Sequence, residues 1–279
     1  MSGAGAAWTP LVLAVAPTGA RRTRADHPEL PITPPEIART ATACAEAGAS
    51  MLHLHVRDGA GRHTLDVGIY RAAIAAVRRE VGMRMVIQVT TEAAGRSGPA
   101  EQMALVQELR PEAASLALAE LIPDAEAEAP AAEFLAWCRS SGIAVQYILY
   151  DAEDVRRFSA LGRRGVISEE RPFVLFVLGR YAAERASEPR DLLPFLAAHE
   201  GAKGPWALCA FGPRETACAV AAAALGGHAR VGFENNLRLP DGALAPDNAA
   251  LVAATAAGAR VIGRPLADAD TARELMAAT

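Results

Sequence analysis

The sequence predicts a single-domain (β/α)8 barrel, and three observations point there. Eight short apolar or β-branched runs alternate with eight alanine-rich helical patterns over 279 residues, a usual length for that fold. No linker-like break interrupts the alternation. No strand-like run leads into a G-x-G-x-x-G turn, so a doubly wound sheet with a dinucleotide site has no anchor.

The elements follow in order. PLVLAVA (10–16) is the first strand. The helix over 33–48 has Thr33 at its N-cap, Glu36 at the capping-box position and Gly48 at its end. The second strand is MLHLHV (51–56), followed by a helix over 68–81. RMVIQVT (84–90) precedes the helix 99–110, and AASLAL (113–118) precedes 128–141. IAVQYILY (143–150) leads to 151–162, and FVLFVL (173–178) to 188–200. PWALCA (205–210) leads to 213–225, and HARVGF (228–233) to 247–257. GRPLADADTAREL, near the C-terminus, reads as one further helix.

Composition narrows the function. A formal net charge of -4, with no run of five like charges, gives no field to recruit nucleic acid. No apolar stretch approaches the roughly 20 residues of a membrane span, and MSGAGAAWTP lacks the basic and apolar regions of a leader. A cytoplasmic protein is expected. Cys44, Cys138, Cys209 and Cys218 have no C-x-x-C spacing and are expected to be buried thiols. His27, His63 and His199 are expected at the surface.

In a (β/α)8 barrel the chemistry sits at the C-terminal ends of the strands. His53 and His55 are two apart, so both face inward while Leu52, Leu54 and Val56 face the helices. The same alternation puts His228, Arg230 and Gly232 inward on the eighth strand, with Glu234 just past its end. The first, second and eighth strands are neighbours in a closed barrel. Two imidazoles and a carboxylate converging there suit a catalytic zinc with an open position. Buried, hydrogen-bonded core histidines, with Glu234 paired to Arg230, are the other reading at this stage.

Several stretches also carry a resemblance: LAVAPTGARRTRADHPELPITPPEI (13–37), AGASMLHLHVRDGAGR (47–62), LRPEAASLAL (109–118), FVLG (176–179) and LGGHARVGFENN (225–236). In order and spacing they resemble the β-keto acid cleavage enzymes, related to 3-keto-5-aminohexanoate cleavage enzyme. The resemblance runs over essentially the whole chain, and H-x-H-x-R and V-G-F-E-N are its most specific parts. It implies a zinc-dependent (β/α)8 enzyme that converts a β-keto acid and acetyl-CoA to acetoacetate and a new acyl-CoA. It further implies zinc on His53, His55 and Glu234, Arg230 near the reacting atoms, Thr90 and Ser115 around the substrate carboxylate, and a homotetramer.

The sequence departs from the family pattern in ways that bear on mechanism. Where the family commonly reads E-D-N, this chain has Asn235, and an amide cannot serve as the base. Where the family has T-G-G after the third strand, this chain reads TTEA, which brings Glu92 to the barrel mouth. Glu92 is the expected replacement base, with Asp58 second. The family's T-G-A-E after the first strand becomes PTGAR, so Arg21 stands where a glutamate faces an ammonium tail, and Ile148 replaces another glutamate. A neutral or anionic substrate tail is therefore expected.

Acetyl-CoA is expected near FGPRET (211–216), where Gly212, Arg214 and the start of a helix follow the seventh strand. ARRTR (20–24) offers further positive charge, or a solvated loop. Three function classes stand: acetyl-CoA-dependent cleavage of a β-keto acid, a CoA-independent zinc lyase or hydrolase of a β-dicarbonyl, and a non-catalytic metabolite-binding barrel.

Overall fold

A computed structural model describes residues 8–179 and 186–277, so part of the MSGAGAAWTP segment lies outside the described residues. Eight parallel strands close into a barrel in sequence order. They are β1 (Leu13–Val15), β2 (Met51–Leu54), β3 (Val86–Thr90), β4 (Ala113–Ala117), β5 (Ala144–Leu149), β6 (Phe173–Leu178), β7 (Trp206–Ala210) and β8 (His228–Val231). The outer helices are α1 (Pro34–Ala47), α2 (Val67–Val81), α3 (Pro99–Leu109), α5 (Glu128–Ser140), α6 (Ala152–Arg163), α7 (Leu193–Ala198), α8 (Glu215–Ala224) and α9 (Asn248–Val261). A single turn, α4 (Leu118–Leu121), follows β4 directly, and α10 (Ala269–Ala277) ends the described chain.

Local chemistry explains the boundaries. Glu36 Oε2 accepts from the Thr33 and Ile32 backbone N–H groups at 2.9 and 3.0 Å, the reciprocal half of a capping box, and Gly48 closes α1 in the left-handed region. The helix expected over 188–200 is broken into a 3-10 turn, Pro189–Leu192, and the six-residue α7. Pro194 has no N–H to continue an α-helical ladder from the preceding turn.

Strand alternation divides the core in two. Leu52, Leu54 and Val56 join Ile37, Tyr70 and Val77 in the layer between sheet and helices. Val12, Met51, Val86, Ala113 and Phe173 fill the barrel, where Ala272 and Met276 of α10 pack against its N-terminal end. Around that apolar plug Arg78 and Arg273 pair with Glu112, so the charges at this end are matched within the chain.

All four cysteines are free and buried. Two histidines correct the expectation of surface positions. His27 is buried, with Nε2 2.8 Å from the Ala245 carbonyl, and His63 is buried beside the mouth, where it bridges Arg57 in a short antiparallel return. His199 is half-buried, edge-on to Phe176. Among the described residues no helix is long and apolar enough to cross a membrane.

Candidate metal centre and active site

β2 carries His53 and runs directly into His55, and both are buried at 1 % exposure. His53 is the register partner of Gln88 on β3, and its Nδ1 lies 2.8 Å from Gln88 Oε1. The amide oxygen only accepts, so Nδ1 carries the hydrogen and Nε2 is left as a lone pair. Burial, then the nearby Arg230 charge, holds the His53 imidazole well below its ordinary range, in the neutral form a metal ligand needs.

That lone pair faces other acceptors. His53 Nε2 lies 3.1 Å from His55 Nε2 and 3.8 Å from Glu234 Oε2, and His55 Nε2 lies 3.3 Å from the same oxygen. Ligand atoms around a tetrahedral zinc with bonds of about 2.0–2.1 Å stand about 3.3 Å apart. Glu234 Oε2 is buried with no well-formed hydrogen bond. Burial works to raise the Glu234 carboxyl, but Arg230 and the two imidazoles outweigh it and hold it well below the usual carboxylate range. Three buried electron-pair donors at these spacings fit a divalent cation.

The Glu234 loop is tightly held. Glu234 N–H donates to the Ala16 carbonyl at 3.0 Å, and Phe233 N–H to Asn248 Oδ1 at 2.8 Å. A Cβ at Gly19 would fall 2.7 Å from Glu234 Cγ, and Gly19 also has a positive φ of 67°, so PTGAR needs its glycine. Arg57, the arginine of H-x-H-x-R, donates to the Gly19 and Arg22 carbonyls at 2.6 and 3.0 Å. Arg22 reaches the Asn235 carbonyl at 3.1 Å. The loops after β1, β2 and β8 are thus laced together around the ligands.

Arg230 is the register partner of Ala14 and is buried. Its Nη2 approaches Cys209 Sγ at 3.4 Å and Glu234 Oε1 at 3.6 Å, while Nε and Nη1 find no acceptor among the described residues. Ser115 Oγ is likewise buried without a partner. Buried donors left unpaired are costly, and an anionic ligand would satisfy them. Ser115 is the register partner of Thr90, and both line one cleft with His53, Arg230 and Glu234.

Glu92 enters the same cleft, with Oε2 3.9 Å from His55 Nδ1. Burial pushes its carboxyl up, against the pull of His55. The remaining sequence-predicted residues lie differently. Asp58 is tied up in its own turn, paired with Arg62 at 2.8 Å and accepting from the Ala60 and Arg62 N–H groups. The Asn235 side chain donates to Glu215 Oε1 at 3.1 Å and to the Arg230 carbonyl at 3.3 Å. Arg21 is exposed, its charge acting on Glu92 from the loop after β1. Gly212 donates its N–H to the Asn235 carbonyl at 3.2 Å, and Arg214 pairs with Glu188.

Three polar residues that sequence reasoning left aside support this site. Gln88 orients His53. Glu120, in α4, lines the cleft and accepts from Ala93 N–H and Gln102 Nε2 at 3.0 and 2.8 Å. Glu215 is buried at the start of α8 and accepts from Gly232 N–H, Asn235 Nδ2 and Asn236 Nδ2 at 2.9, 3.1 and 3.4 Å. Burial pushes its carboxyl up to about 8, despite those donors. Only Gln88 left a signal: a polar residue at an inward position of an apolar strand.

Fold and site together define a TIM-barrel protein with a buried His-His-Glu group at the C-terminal mouth. The chain matches the family described as "beta-keto acid cleavage enzyme" over residues 10–277, and it belongs to that family. It is 30% identical to a 3-keto-5-aminohexanoate cleavage enzyme of Fusobacterium nucleatum, covering 95% of this chain and 97% of that one. It is equally 30% identical to a 3-oxoadipate:acetyl-CoA acetyltransferase of Cupriavidus necator, covering 96% and 94%. Among solved structures, the apo structure of ObcA superposes with a TM-score of 0.71 at 18% identity, covering 89% of this chain and 65% of that one. A 3-dehydroquinate dehydratase from Geobacillus kaustophilus gives 0.55 at 14%, covering 89% and 92%; these structures support the fold alone.

Proposed function

We propose that this enzyme transfers the acyl group of a β-keto acid to coenzyme A at the expense of acetyl-CoA, releasing acetoacetate. The observation that carries the reading is one cleft, lined by His53, Glu234 and Arg230 with its unpaired N–H groups, at which His55 completes the group of acceptors. The names of the relatives above, a β-keto acid cleavage enzyme and an acetyl-CoA acetyltransferase, support the same chemistry.

Two imidazoles and a carboxylate suit zinc first, and also cobalt or nickel. A divalent ion held there supplies Lewis-acid polarisation of the substrate oxygens. Ser115 and Thr90 offer hydroxyls to the substrate carboxylate. Glu92 removes a proton from the carbon between the two carbonyl groups, and Arg230 stabilises the anionic oxygens that follow. The carbanion attacks the thioester carbonyl and expels the CoA thiolate. The thiolate then attacks the original ketone carbon, the bond from that carbon to the central carbon breaks, and the acyl-CoA leaves. Glu92 returns its proton to the central carbon to give acetoacetate, so the carboxylate ends as it began. The assembly is proposed as a homotetramer, as the family resemblance implies.

A CoA-independent cleavage by water is the second reading, because Arg214 is engaged by Glu188 where a phosphate contact was expected. Incubating metal-loaded protein with a β-keto acid, with and without acetyl-CoA, separates the two. Equimolar acetoacetate and acyl-CoA only when acetyl-CoA is present supports the proposal. Cleavage at an undiminished rate without it overturns it in favour of hydrolysis.

A further inference from the structure

The C-terminal mouth of the barrel is divided by chemistry into two halves. Its polar half is built by β8, β2 and β3, which bring Arg230 with Glu234, the two histidines, and Thr90 with Glu92. Its other half is largely apolar, with the Tyr150 ring packed among its aliphatic side chains. Ala117 and Ile148 are register partners across β4 and β5, and Val177 is the register partner of Cys209 across β6 and β7. Phe211, just past β7, continues this wall. Burial pushes the Cys209 thiol up to about 11, so it adds no charge.

We propose that the cleft selects β-keto acids whose tail is uncharged and apolar, seated against Ala117, Ile148, Val177 and Phe211. The inference rests on the β-keto acid reading above. The carboxylate and ketone oxygens of such a substrate, only three carbons apart, are both matched to the polar half, which turns the tail toward the other. A tail carboxylate seated there would lose its hydration, and the one cation among the described residues lining the cleft, Arg230, is already matched to the substrate's own anionic oxygens. Glu120, in α4 just past β4, is the carboxylate of the cleft lining beside that wall, and it adds repulsion. A tail ammonium is no better served. Glu120 Oε2 already accepts two hydrogen bonds, and Glu92 lies on β3's side, beside His55.

Arg21 does not alter this reading, although the sequence pointed to it as an anion partner. It is exposed in the loop after β1, and it is absent from the residues that line the cleft. Its charge bears on Glu92, on the polar side. The neutral branch of the expectation drawn from the sequence is therefore the one the cleft favours, and the dicarboxylate branch is not.

The test compares 3-oxohexanoate, 3-oxoadipate and 3-oxo-6-aminohexanoate as neutral, anionic and cationic members of a matched set. Wild-type kcat/KM with acetyl-CoA is expected to favour 3-oxohexanoate by about tenfold or more over each charged acid. Ile148→Glu should lower the value for 3-oxohexanoate and raise it for the amine, and Arg21→Glu should leave the wild-type order unchanged. Calorimetric binding of the three acids to metal-loaded protein without acetyl-CoA ranks the tail pocket independently of turnover. The neutral acid binding tightest, with no acetyl-CoA-dependent turnover, would uphold the tail pocket while overturning the acyl-transfer reading. Preference for either charged acid in wild type, by binding or by turnover, overturns the inference, and so does an order reversed by Arg21→Glu. The wild-type ranking decides even where Ile148→Glu fails to fold.

Discussion

His53 Nδ1 lies 2.8 Å from Gln88 Oε1, and the two residues face each other in register across β2 and β3. Gln88 is itself oriented by donating from Nε2 to Gln146 Oε1 at 3.2 Å. A chain of two amides therefore fixes which imidazole nitrogen looks toward His55 and Glu234. Gln88→Leu is expected to weaken metal binding by about 10- to 100-fold, as loss of a partner that orients a ligand typically does. Competition against a chromophoric chelator measures it. An unchanged affinity would mean that packing alone orients His53.

Glu92 is the proposed base, and Glu92→Gln keeps its size while removing that function. We expect kcat to fall by about 10²-fold or more with metal content unchanged. Because burial raises the Glu92 carboxyl above its ordinary value of 4.5, the wild-type rate should begin to fall above that pH as acid protonates the base. The variant should lack this acid limb. Turnover near that of wild type would remove Glu92 from the role.

Glu215 satisfies three donors of the segment from Gly232 to Asn236, which brackets Glu234. Glu215→Ala would leave the Gly232 N–H buried and unpaired, at about 1–3 kcal/mol, and take one acceptor from each amide, while Asn235 and Asn236 keep the Arg230 and Arg238 carbonyls. A loss of about 2 kcal/mol or more in chemical denaturation is expected, together with weaker metal binding. Glu215→Gln, which retains an acceptor oxygen, should lose less. Equal effects of the two substitutions would contradict this role.

What the sequence disclosed follows from the range of each interaction. The inward direction of His53, His55 and Arg230 depends only on strand period and was legible. Thr33, Glu36 and Gly48 mark α1 through contacts a few residues long. Glu215 reads as an ordinary first-turn acid, because its partners lie 17 to 21 residues away on the β8 loop. His63 is buried only because the loop after β2 folds back over the mouth, and His27 because it packs on Phe233 at 4.2 Å between ring centres. The charge of Arg21 was visible, while its exposure and its action on Glu92 depend on how the loop after β1 folds over the mouth.

His228 makes stability depend on pH. Its Nδ1 accepts the Val12 N–H at 3.0 Å inside the barrel, and burial lowers its pKa from 6.5 to about 3. Between those values the unfolded chain takes up a proton that the folded chain refuses. The His228 contribution is therefore complete above pH 6.5 and is lost progressively as pH falls toward about 3. Denaturation at pH 7.5 and pH 5 should show wild type losing more stability than His228→Gln over the same interval. Equal losses would contradict the assignment.

The most direct test is metal stoichiometry of purified protein by elemental analysis, in wild type and in the double variant His53→Ala/His55→Ala, each folded as judged by circular dichroism. Wild type is expected to hold one divalent ion per chain, zinc foremost, and the variant to retain none. A folded double variant that still holds one ion per chain would contradict it.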